Sequence, residues 1–472
     1  MMSNEVENLY NWIDILYKDD YPKNSILMRD VIEQWKNYKE KDGWESDLIQ
    51  YILVLIMNRL IQENSDIAVQ QILEFAKEIK NNKNVYSKKV VEYVARCLIE
   101  NIMNNVAKQE WTEAGVLLEH FENINVDVNK IPVSINLVFA KICEHECHMG
   151  RARCYYRNAL FNRKPISTCY CITPYTLLLC MLILPDWKNA AFILGDKLSD
   201  KFVYKFMKYE VAGLYSLNWT CRADVLRDVL KEFAQYCKKN RIRVYGQDHR
   251  ADIGYFIDEN YIVVEDGTAN YTPSKMYTVL PNGYEHESFG YGDTIKTVYL
   301  TGRMDIPNAL KKKARIIDVE KKWKDKSEIE KKEILDIFSV PLNDITRAMD
   351  SGKTYIFLTE NIFAHDYNEE KKQWQVELFS RILSKYDMER IIIKVHHFDP
   401  VDYEKIFPEC FVVREQFPIE ILKLVGLENK ISKIISIGST AIHGIFNKTE
   451  VDNYENFFKE EFYKKWKMNY PY

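Results

Sequence analysis

The sequence predicts a mixed α/β protein in which an all-α N-terminal domain precedes two α/β lobes, each with a parallel sheet. Up to about residue 162, apolar residues recur at helical spacing and no glycine-rich turns interrupt them. From Lys164-Pro165 onward, short β-branched runs alternate with amphipathic helices, which is typical of parallel strands joined by helical crossovers. About ten such runs fit two doubly wound sheets better than one.

Composition excludes several classes of protein. A chain of 472 residues, 47% of them hydrophobic, can bury several cores. Its formal charge of -4 argues against a partner of nucleic acid, since duplex binders carry a basic excess. Ten scattered cysteines fit a reducing compartment, and the Cys/His cluster at 143–154 lacks a standard zinc spacing. Without a signal peptide or a long apolar run, a cytoplasmic protein, at most peripheral at the inner face of the plasma membrane, is expected.

The first predicted domain spans residues 1–162. Its helices are predicted to follow one another as long and short partners, which indicates either a tetratricopeptide-like solenoid or an irregular bundle. Such a domain is expected to bind a protein partner, to mediate self-association or to hold a long acceptor. The predicted helices are Asp47–Gln62, Asp66–Asn81, Ser87–Lys108, Trp111–Asn123, Pro132–His148 and Arg151–Phe161.

The two α/β lobes are predicted to span residues 167–335 and 336–472. The boundary follows a charged helical stretch, Lys321 to Glu333, that separates two groups of strands. In such folds ligands bind beyond the carboxyl ends of the strands, so the residues that follow each strand carry the chemistry. The predicted strands are Thr168–Ile172, Ala191–Leu194, Arg241–Tyr245, Tyr261–Glu265, Thr297–Thr301, Arg315–Val319, Tyr355–Thr359, Arg390–Val395, Cys410–Val413 and Lys433–Ile437.

Two strand ends of the first lobe carry polar groups. Thr173-Pro174 opens a helix whose first amides could face an anion or an acceptor sugar. Glu265-Asp266-Gly267 ends a buried strand and is followed by Asn270, so a carboxylate there could deprotonate a sugar hydroxyl. An ordinary acidic turn is the alternative.

Two strand ends of the second lobe carry groups suited to a phosphate. Lys394 is followed by His396 and His397, and a histidine at this position could protonate a leaving phosphate. Metal ligation by the pair is less favoured, because adjacent side chains on an extended chain point to opposite sides. Gly438-Ser439-Thr440 opens a further helix, which predicts either a phosphate site or a helix cap.

Together these motifs resemble glycosyltransferase family 52 and, more broadly, bacterial sialyltransferases with the GT-B fold. The resemblance covers about residues 167–450, and the N-terminal helices lie outside it. Departures from the family pattern are Thr176 for Gln, His397 for Pro, and Glu360-Asn361 for Gln-Pro. The motifs that carry the resemblance are Cys171-Ile172-Thr173-Pro174, Glu265-Asp266-Gly267 with Asn270, Lys394-Val395-His396, Pro418-Ile419-Glu420 and Ser439-Thr440.

The resemblance implies inverting, metal-independent transfer of sialic acid from CMP-sialic acid to a hydroxyl of a bacterial surface glycan, such as lipooligosaccharide or capsule. No cofactor is implied beyond this donor, and the acceptor could be lipid-linked. His396 would assist departure of CMP and Ser439 and Thr440 would hold its phosphate, with Lys394, Gly438 and Glu420 also on the donor side. Thr173, Pro174, Glu265, Gly267 and Asn270 would lie on the acceptor side.

Three questions stay open at the level of sequence. The general base is either Asp266 or Asp366, which lies in the loop after Thr359. The donor could instead be a UDP-hexose, since the family that the sequence resembles includes hexosyltransferases. Finally, the lobes could be largely inactive and the chain a scaffold for glycan assembly.

Overall fold

The protein is described here by a computed structural model that divides into two compact units. One contains residues 1–162 with 221–229, and the other residues 163–220 with 230–472. The described part of the first unit is helical, whereas the second unit contains both predicted sheets. The residues described are 66–81, 88–124, 131–161, 164–195, 198, 202, 205–206, 208–209, 211–214, 223–272, 276–281, 283–360, 362–363, 366–396, 399–439, 442 and 449–467.

The helices of the first unit confirm the predicted helical region. Successive helices pack against each other, α2 with α3 and α4 with α5. The predicted helix 47–62 lies outside the described residues, and the tetratricopeptide-like arrangement stays a prediction. The helices are α1 (Asp66–Asn81), α2 (Lys88–Ala107), α3 (Trp111–Asn123), α4 (Val133–His145) and α5 (Met149–Phe161).

The first sheet of the second unit has seven parallel strands in the order β3-β2-β1-β4-β5-β8-β9, and β6 and β7 form a separate antiparallel hairpin. All residues of β1 and β2 are buried, as expected for parallel strands covered on both faces. The strands are β1 (Ser167–Cys171), β2 (Ala190–Leu194), β3 (Ala212–Leu214), β4 (Arg243–Gly246), β5 (Tyr261–Val264), β6 (Tyr277–Val279), β7 (Glu285–Glu287), β8 (Thr297–Leu300) and β9 (Ala314–Ile316).

The second sheet has five parallel strands in the order β12-β11-β10-β13-β14. In both sheets the order reverses beside the first strand, as in a Rossmann fold, and the crevice at that reversal is where such folds bind ligands. The two sheets confirm the predicted GT-B architecture. The strands are β10 (Tyr355–Leu358), β11 (Ile391–Lys394), β12 (Phe411–Val413), β13 (Lys433–Ser436) and β14 (Glu450–Asn453).

Helices cover these sheets, and their first residues explain where they begin. Thr173 caps α6 by accepting a hydrogen bond from the Thr176 amide, and Pro174 occupies the first helical position. The last helix, α14, buries Phe458 and Phe462 in the core of the second lobe. The helices are α6 (Pro174–Ile183), α7 (Ala223–Lys239), α8 (Val319–Lys324), α9 (Glu328–Ile337), α10 (Leu342–Asp350), α11 (Glu369–Leu383), α12 (Tyr403–Ile406), α13 (Glu420–Leu424) and α14 (Glu455–Trp466).

The ten predicted strands all form, with ends displaced by a few residues. The predictions missed β3, which is only three residues long, and β14, whose Glu-Val-Asp-Asn sequence lacks an apolar run because it is an edge strand. They also missed the hairpin of β6 and β7. The predicted boundaries at residues 162 and 335 stay predictions. Within the described residues, no helix is both long and apolar enough to cross a membrane.

A stability prediction follows from the close approach of β4 to β1. A Cβ atom at Gly246 would lie 2.2 Å from the Tyr170 carbonyl oxygen. Because that oxygen belongs to the paired strand, relieving the clash would pull the two strands apart. We expect Gly246→Ala to lower the free energy of unfolding by at least about 2 kcal/mol, measured by chemical denaturation.

Gly150→Ala is the matched control. A Cβ atom there meets no heavy atom within 4 Å, and the residue lies inside α5. This variant is expected to be as stable as the wild type or up to about 1 kcal/mol more stable. Equal effects of the two substitutions would contradict the strand-contact argument.

Candidate active site

A cavity of about 260 Å³ lies where strand ends of both sheets meet. The lining residues lie at or after the ends of β1, β5 and β8 in the first sheet and of β10, β11, β12 and β13 in the second. This is the position at which doubly wound sheets bind ligands. The lining residues are Thr173, Pro174, Tyr175, Asp266, Gly267, Arg303, Leu358, Thr359, Glu360, Lys394, Val395, His396, Gln416, Phe417, Pro418, Ile419, Glu420 and Ser439.

Asp266 is the carboxylate that the first lobe presents to this cavity. Its Oδ1 accepts a hydrogen bond of 3.1 Å from the Thr173 hydroxyl. Its main-chain N–H donates to Asn270 Oδ1 at 2.7 Å, and Gly267 takes the positive φ of +83° that the turn requires. Asn270 is itself buried, so it fixes the loop that carries Asp266 and does not line the cavity.

Glu265 has a different position from the one predicted for an acceptor contact. Its side chain is fully buried and does not line the cavity. Its carboxylate accepts hydrogen bonds from the Tyr271 hydroxyl at 2.6 Å, from the Tyr175 hydroxyl at 3.1 Å and from Thr301. Glu265 is therefore a structural anchor for the loops of the first lobe.

Arg303 connects the two lobes. Its Nε lies 2.7 Å from Glu265 Oε1, and its Nη2 lies 3.5 Å from Glu420 Oε1 in the second lobe. The guanidinium also stacks over the Tyr175 ring, 4.4 Å from the centroid. Burial raises the pKa of Glu420, and the Arg303 charge opposes that rise. Sequence reasoning missed Arg303, whose only signal is its position after a strand.

A second cavity of about 430 Å³ lies on the other side of this contact. Tyr175, Arg303 and Glu420 line both cavities and thus form the wall between them. Lys423 and Glu320 form an ion pair of 3.0 Å among the lining residues of the second cavity. The Arg303 contact therefore separates two spaces as well as joining two lobes.

Lys394 and His396 come from the end of β11. The Lys394 ammonium donates to the Val395 carbonyl at 3.2 Å and lies 4.8 Å from the centroid of the Phe417 ring. Burial lowers the pKa of Lys394 to about 8. The main-chain N–H of His396 donates to Thr359 Oγ1 at 2.8 Å, which fixes the chain at this strand exit. His397 lies outside the described residues.

The buried residue Asp399 contacts the main chain at His396. The Asp399 N–H donates to the His396 carbonyl at 2.9 Å. The Asp399 carboxylate accepts from Gln375 Nε2 at 3.0 Å and from the Tyr403 hydroxyl at 2.7 Å. Burial raises the pKa of Asp399, and these hydrogen bonds oppose the rise. The network therefore fixes Asp399 beside the His396 carbonyl.

The predicted phosphate site after β13 is only partly described. Ser439 lines the cavity, whereas Thr440 lies outside the described residues. The amides of Gly438 and Ser439 both donate to the Ser436 hydroxyl, at 3.2 and 2.9 Å. These two amides are thus already hydrogen-bonded within the turn, and among its described residues Ser439 is the one that lines the cavity.

Asp366 lies away from the cavity. Its side chain is 86% exposed and forms an ion pair with Lys371. The cavity thus brings together most of the predicted site residues, but not Glu265, Asn270, Gly438 or Asp366. The predicted residues that line it are Thr173, Pro174, Asp266, Gly267, Lys394, His396, Glu420 and Ser439.

The two Rossmann-like lobes and the cleft between them define a GT-B fold. The model of glycosyltransferase family 52 matches residues 188–458, which is more than half of the chain. The chain therefore belongs to glycosyltransferase family 52.

Individual proteins are similar to parts of the chain. An uncharacterized protein of Haemophilus influenzae is 32% identical over 213 residues, which is 45% of this chain and 67% of that protein. The 2,6-sialyltransferase of Photobacterium sp. JT-ISH-224, solved with CMP and lactose, is 11% identical with a TM-score of 0.44, over 61% of this chain and 71% of that one. An α-2,3-sialyltransferase of Photobacterium phosphoreum is 11% identical with a TM-score of 0.39, over 60% and 89%.

The Arg303 contact generates a second stability prediction. Arg303→Met would leave Glu265 and Glu420 buried without their cation, a situation that typically costs about 3–5 kcal/mol. We expect a loss of this size in the free energy of unfolding, measured by urea denaturation. Arg381→Met, which removes an exposed pair with Glu461, is the control and should change it by less than about 1 kcal/mol. Similar losses in the two variants would show that the lobes do not depend on Arg303.

Proposed function

We propose that this glycosyltransferase is an inverting sialyltransferase, which transfers sialic acid from CMP-sialic acid to a hydroxyl of a bacterial surface glycan without a divalent metal. One observation carries the proposal. A single cavity presents Asp266 from the first lobe, and Lys394, His396 and Ser439 from the second. Single displacement at an anomeric carbon requires a base on one side of the sugar. On the other side it requires groups that stabilise an anionic leaving group.

The first half of the reaction uses the first lobe. Asp266 accepts the proton of the acceptor hydroxyl, and the oxygen attacks the anomeric carbon. Attack comes from the face opposite the nucleotide, so the configuration inverts. The Thr173 hydroxyl holds one oxygen of Asp266 at 3.1 Å, which directs the carboxylate toward the acceptor.

The second half of the reaction uses the second lobe. As the bond between the anomeric carbon and the phosphate oxygen breaks, CMP leaves with the bonding electrons. His396 donates a proton to the departing phosphate, while Lys394 and Ser439 stabilise its charge. Asp266 is preferred to Asp366 as the base, because Asp266 lines the cavity and Asp366 is exposed and paired with Lys371.

The remaining parts of the proposal concern the acceptor and the partners. The acceptor is a lipooligosaccharide or capsule glycan, and lipid-linked forms are included. We also propose that the helical unit binds a protein partner or a second copy of the chain, the role that its predicted solenoid-like arrangement would suit.

Donor turnover by the purified protein tests the proposal. CMP-sialic acid and a panel of UDP- and GDP-sugars are offered, with and without EDTA, and His396→Ala is measured beside the wild type. We expect CMP release that persists in EDTA and falls by at least about 100-fold in the variant. Turnover of a UDP-sugar would contradict CMP-sialic acid as the donor. CMP release that stops in EDTA would contradict metal independence.

The identity of the base is tested separately. Asp266→Asn keeps the size of the side chain and removes the proton acceptor, so transfer to a glycan should fall by about 100-fold or more. Asp366→Asn removes an exposed carboxylate and should retain transfer within about threefold. The opposite pattern would assign the base to Asp366.

The pKa of Lys394 predicts how CMP affinity depends on pH. With a pKa of about 8, Lys394 is mostly charged at pH 7 and mostly neutral at pH 9. Because the phosphate binds the charged form, the Kd for CMP should rise by up to about tenfold between these pH values. Calorimetric titration measures it.

Lys394→Arg is the control for this prediction. Arginine stays charged throughout this range, so its Kd should be nearly constant between pH 7 and 9. A wild-type Kd that is equally constant would place the phosphate away from Lys394.

A further inference from the structure

His249 lies directly behind the proposed base. It follows β4 by three residues, and its Nε2 is 3.6 Å from Asp266 Oδ2. Its side chain is 15% exposed, and the cavity lining does not include it. Asp266 is thus held between two groups, with the Thr173 hydroxyl at one carboxylate oxygen and the His249 ring at the other.

The position of the His249 ring is fixed by its neighbours. The ring stacks on Phe289, with 5.0 Å between centroids and an interplanar angle of 24°. Phe289 has a positive φ of +59°, and its N–H donates to Asp248 Oδ1 at 2.6 Å. The other Asp248 oxygen accepts from the Gly290 N–H at 2.9 Å and contacts His286 Nε2 at 2.9 Å. This buried network holds the Phe289 ring in place beneath His249.

The two nitrogens of the His249 ring have different surroundings. Nδ1 is buried and forms no hydrogen bond with any of the described residues. The tautomer with its proton on Nε2 turns that N–H toward Asp266 Oδ2, 3.6 Å away.

We propose that His249 is a positioning residue for the general base. Its Nε2–H faces Asp266 Oδ2 and, together with the Thr173 hydroxyl, keeps the carboxylate aimed at the acceptor. The 3.6 Å separation shortens to a hydrogen bond in the acceptor complex, as catalytic contacts commonly do. When the acceptor hydroxyl is deprotonated, the proton goes to Asp266, and His249 keeps its own. This inference rests on the proposed function, because it assigns the base to Asp266.

Kinetics of matched variants test the inference. CMP release without acceptor and transfer to galactosides, beginning with lactose, are measured for His249→Leu and His249→Gln. In the leucine variant we expect the kcat of transfer to fall by about 10–100-fold, while the Kd for CMP stays within about twofold. Glutamine places an N–H near the position of Nε2 and should restore most of the kcat. Equal kcat in the wild type and the leucine variant would overturn the inference.

A double variant distinguishes positioning from a general structural role. If His249 acts only through Asp266, the variant with both Asp266→Asn and His249→Leu should be no slower than Asp266→Asn alone. Losses that multiply would instead assign His249 a role in stability or packing, and would overturn the inference.

A measurement independent of turnover uses the full chain with isotope-labelled histidine. Nine histidines contribute to the spectrum, and His249→Gln identifies the signal of His249. We expect the Nε2–H tautomer, and a shift of its resonances in Asp266→Asn. A signal that Asp266→Asn leaves unchanged would overturn the inference. Absence of CMP release from the wild type would reject the proposed function, while this spectrum would still decide whether His249 contacts Asp266.

Discussion

The buried contact of Arg303 with Glu265 and Glu420 is the interaction on which the geometry of the cleft depends. Its three charges come from two loops of the first lobe and from the first residue of α13 in the second, and they are almost wholly removed from water. Removing ionised groups from water is costly, and only close pairing offsets that cost. The contact therefore specifies one relative placement of the surrounding loops, since small displacements would leave charges unpaired. Tyr175 adds a stacked ring to the same contact and so ties the first helix of the lobe to it.

The parallel sheets explain why the chemistry divides between the lobes. Every strand of a parallel sheet ends on the same edge, so one edge collects side chains from segments far apart in sequence. In the first lobe this edge carries Thr173 and Asp266, whereas in the second it carries Lys394, His396 and Ser439. The first set suits an acceptor that must lose a proton, and the second suits a phosphate that must gain negative charge.

Buried polar networks support the main chain at Asp266 and at His396, the proposed base and acid. Asp399 and Thr359 fix the main chain at His396. Asn270 fixes the main chain at Asp266. In the same lobe Asp248 fixes the segment on which His249 stacks. Because unpaired polar groups in a protein interior are costly, such networks tolerate few alternative arrangements. Reactive groups on loops thereby gain the fixed geometry that catalysis requires.

Local sequence patterns determined much of the fold. Runs such as Arg390 to Val395 predicted buried parallel strands, and the polar residues after them were therefore expected at one sheet edge. Helical periodicity likewise predicted Asp66–Asn81 and Trp111–Asn123. Only the tertiary structure decided which of these polar residues share a cavity. It buried Glu265 behind Asp266, left Asp366 in solvent, and brought Arg303 and His249 to the site. The physical reason is that hydrophobic periodicity is a property of neighbouring residues, whereas pairing of buried charges depends on contacts between distant segments that no local pattern records.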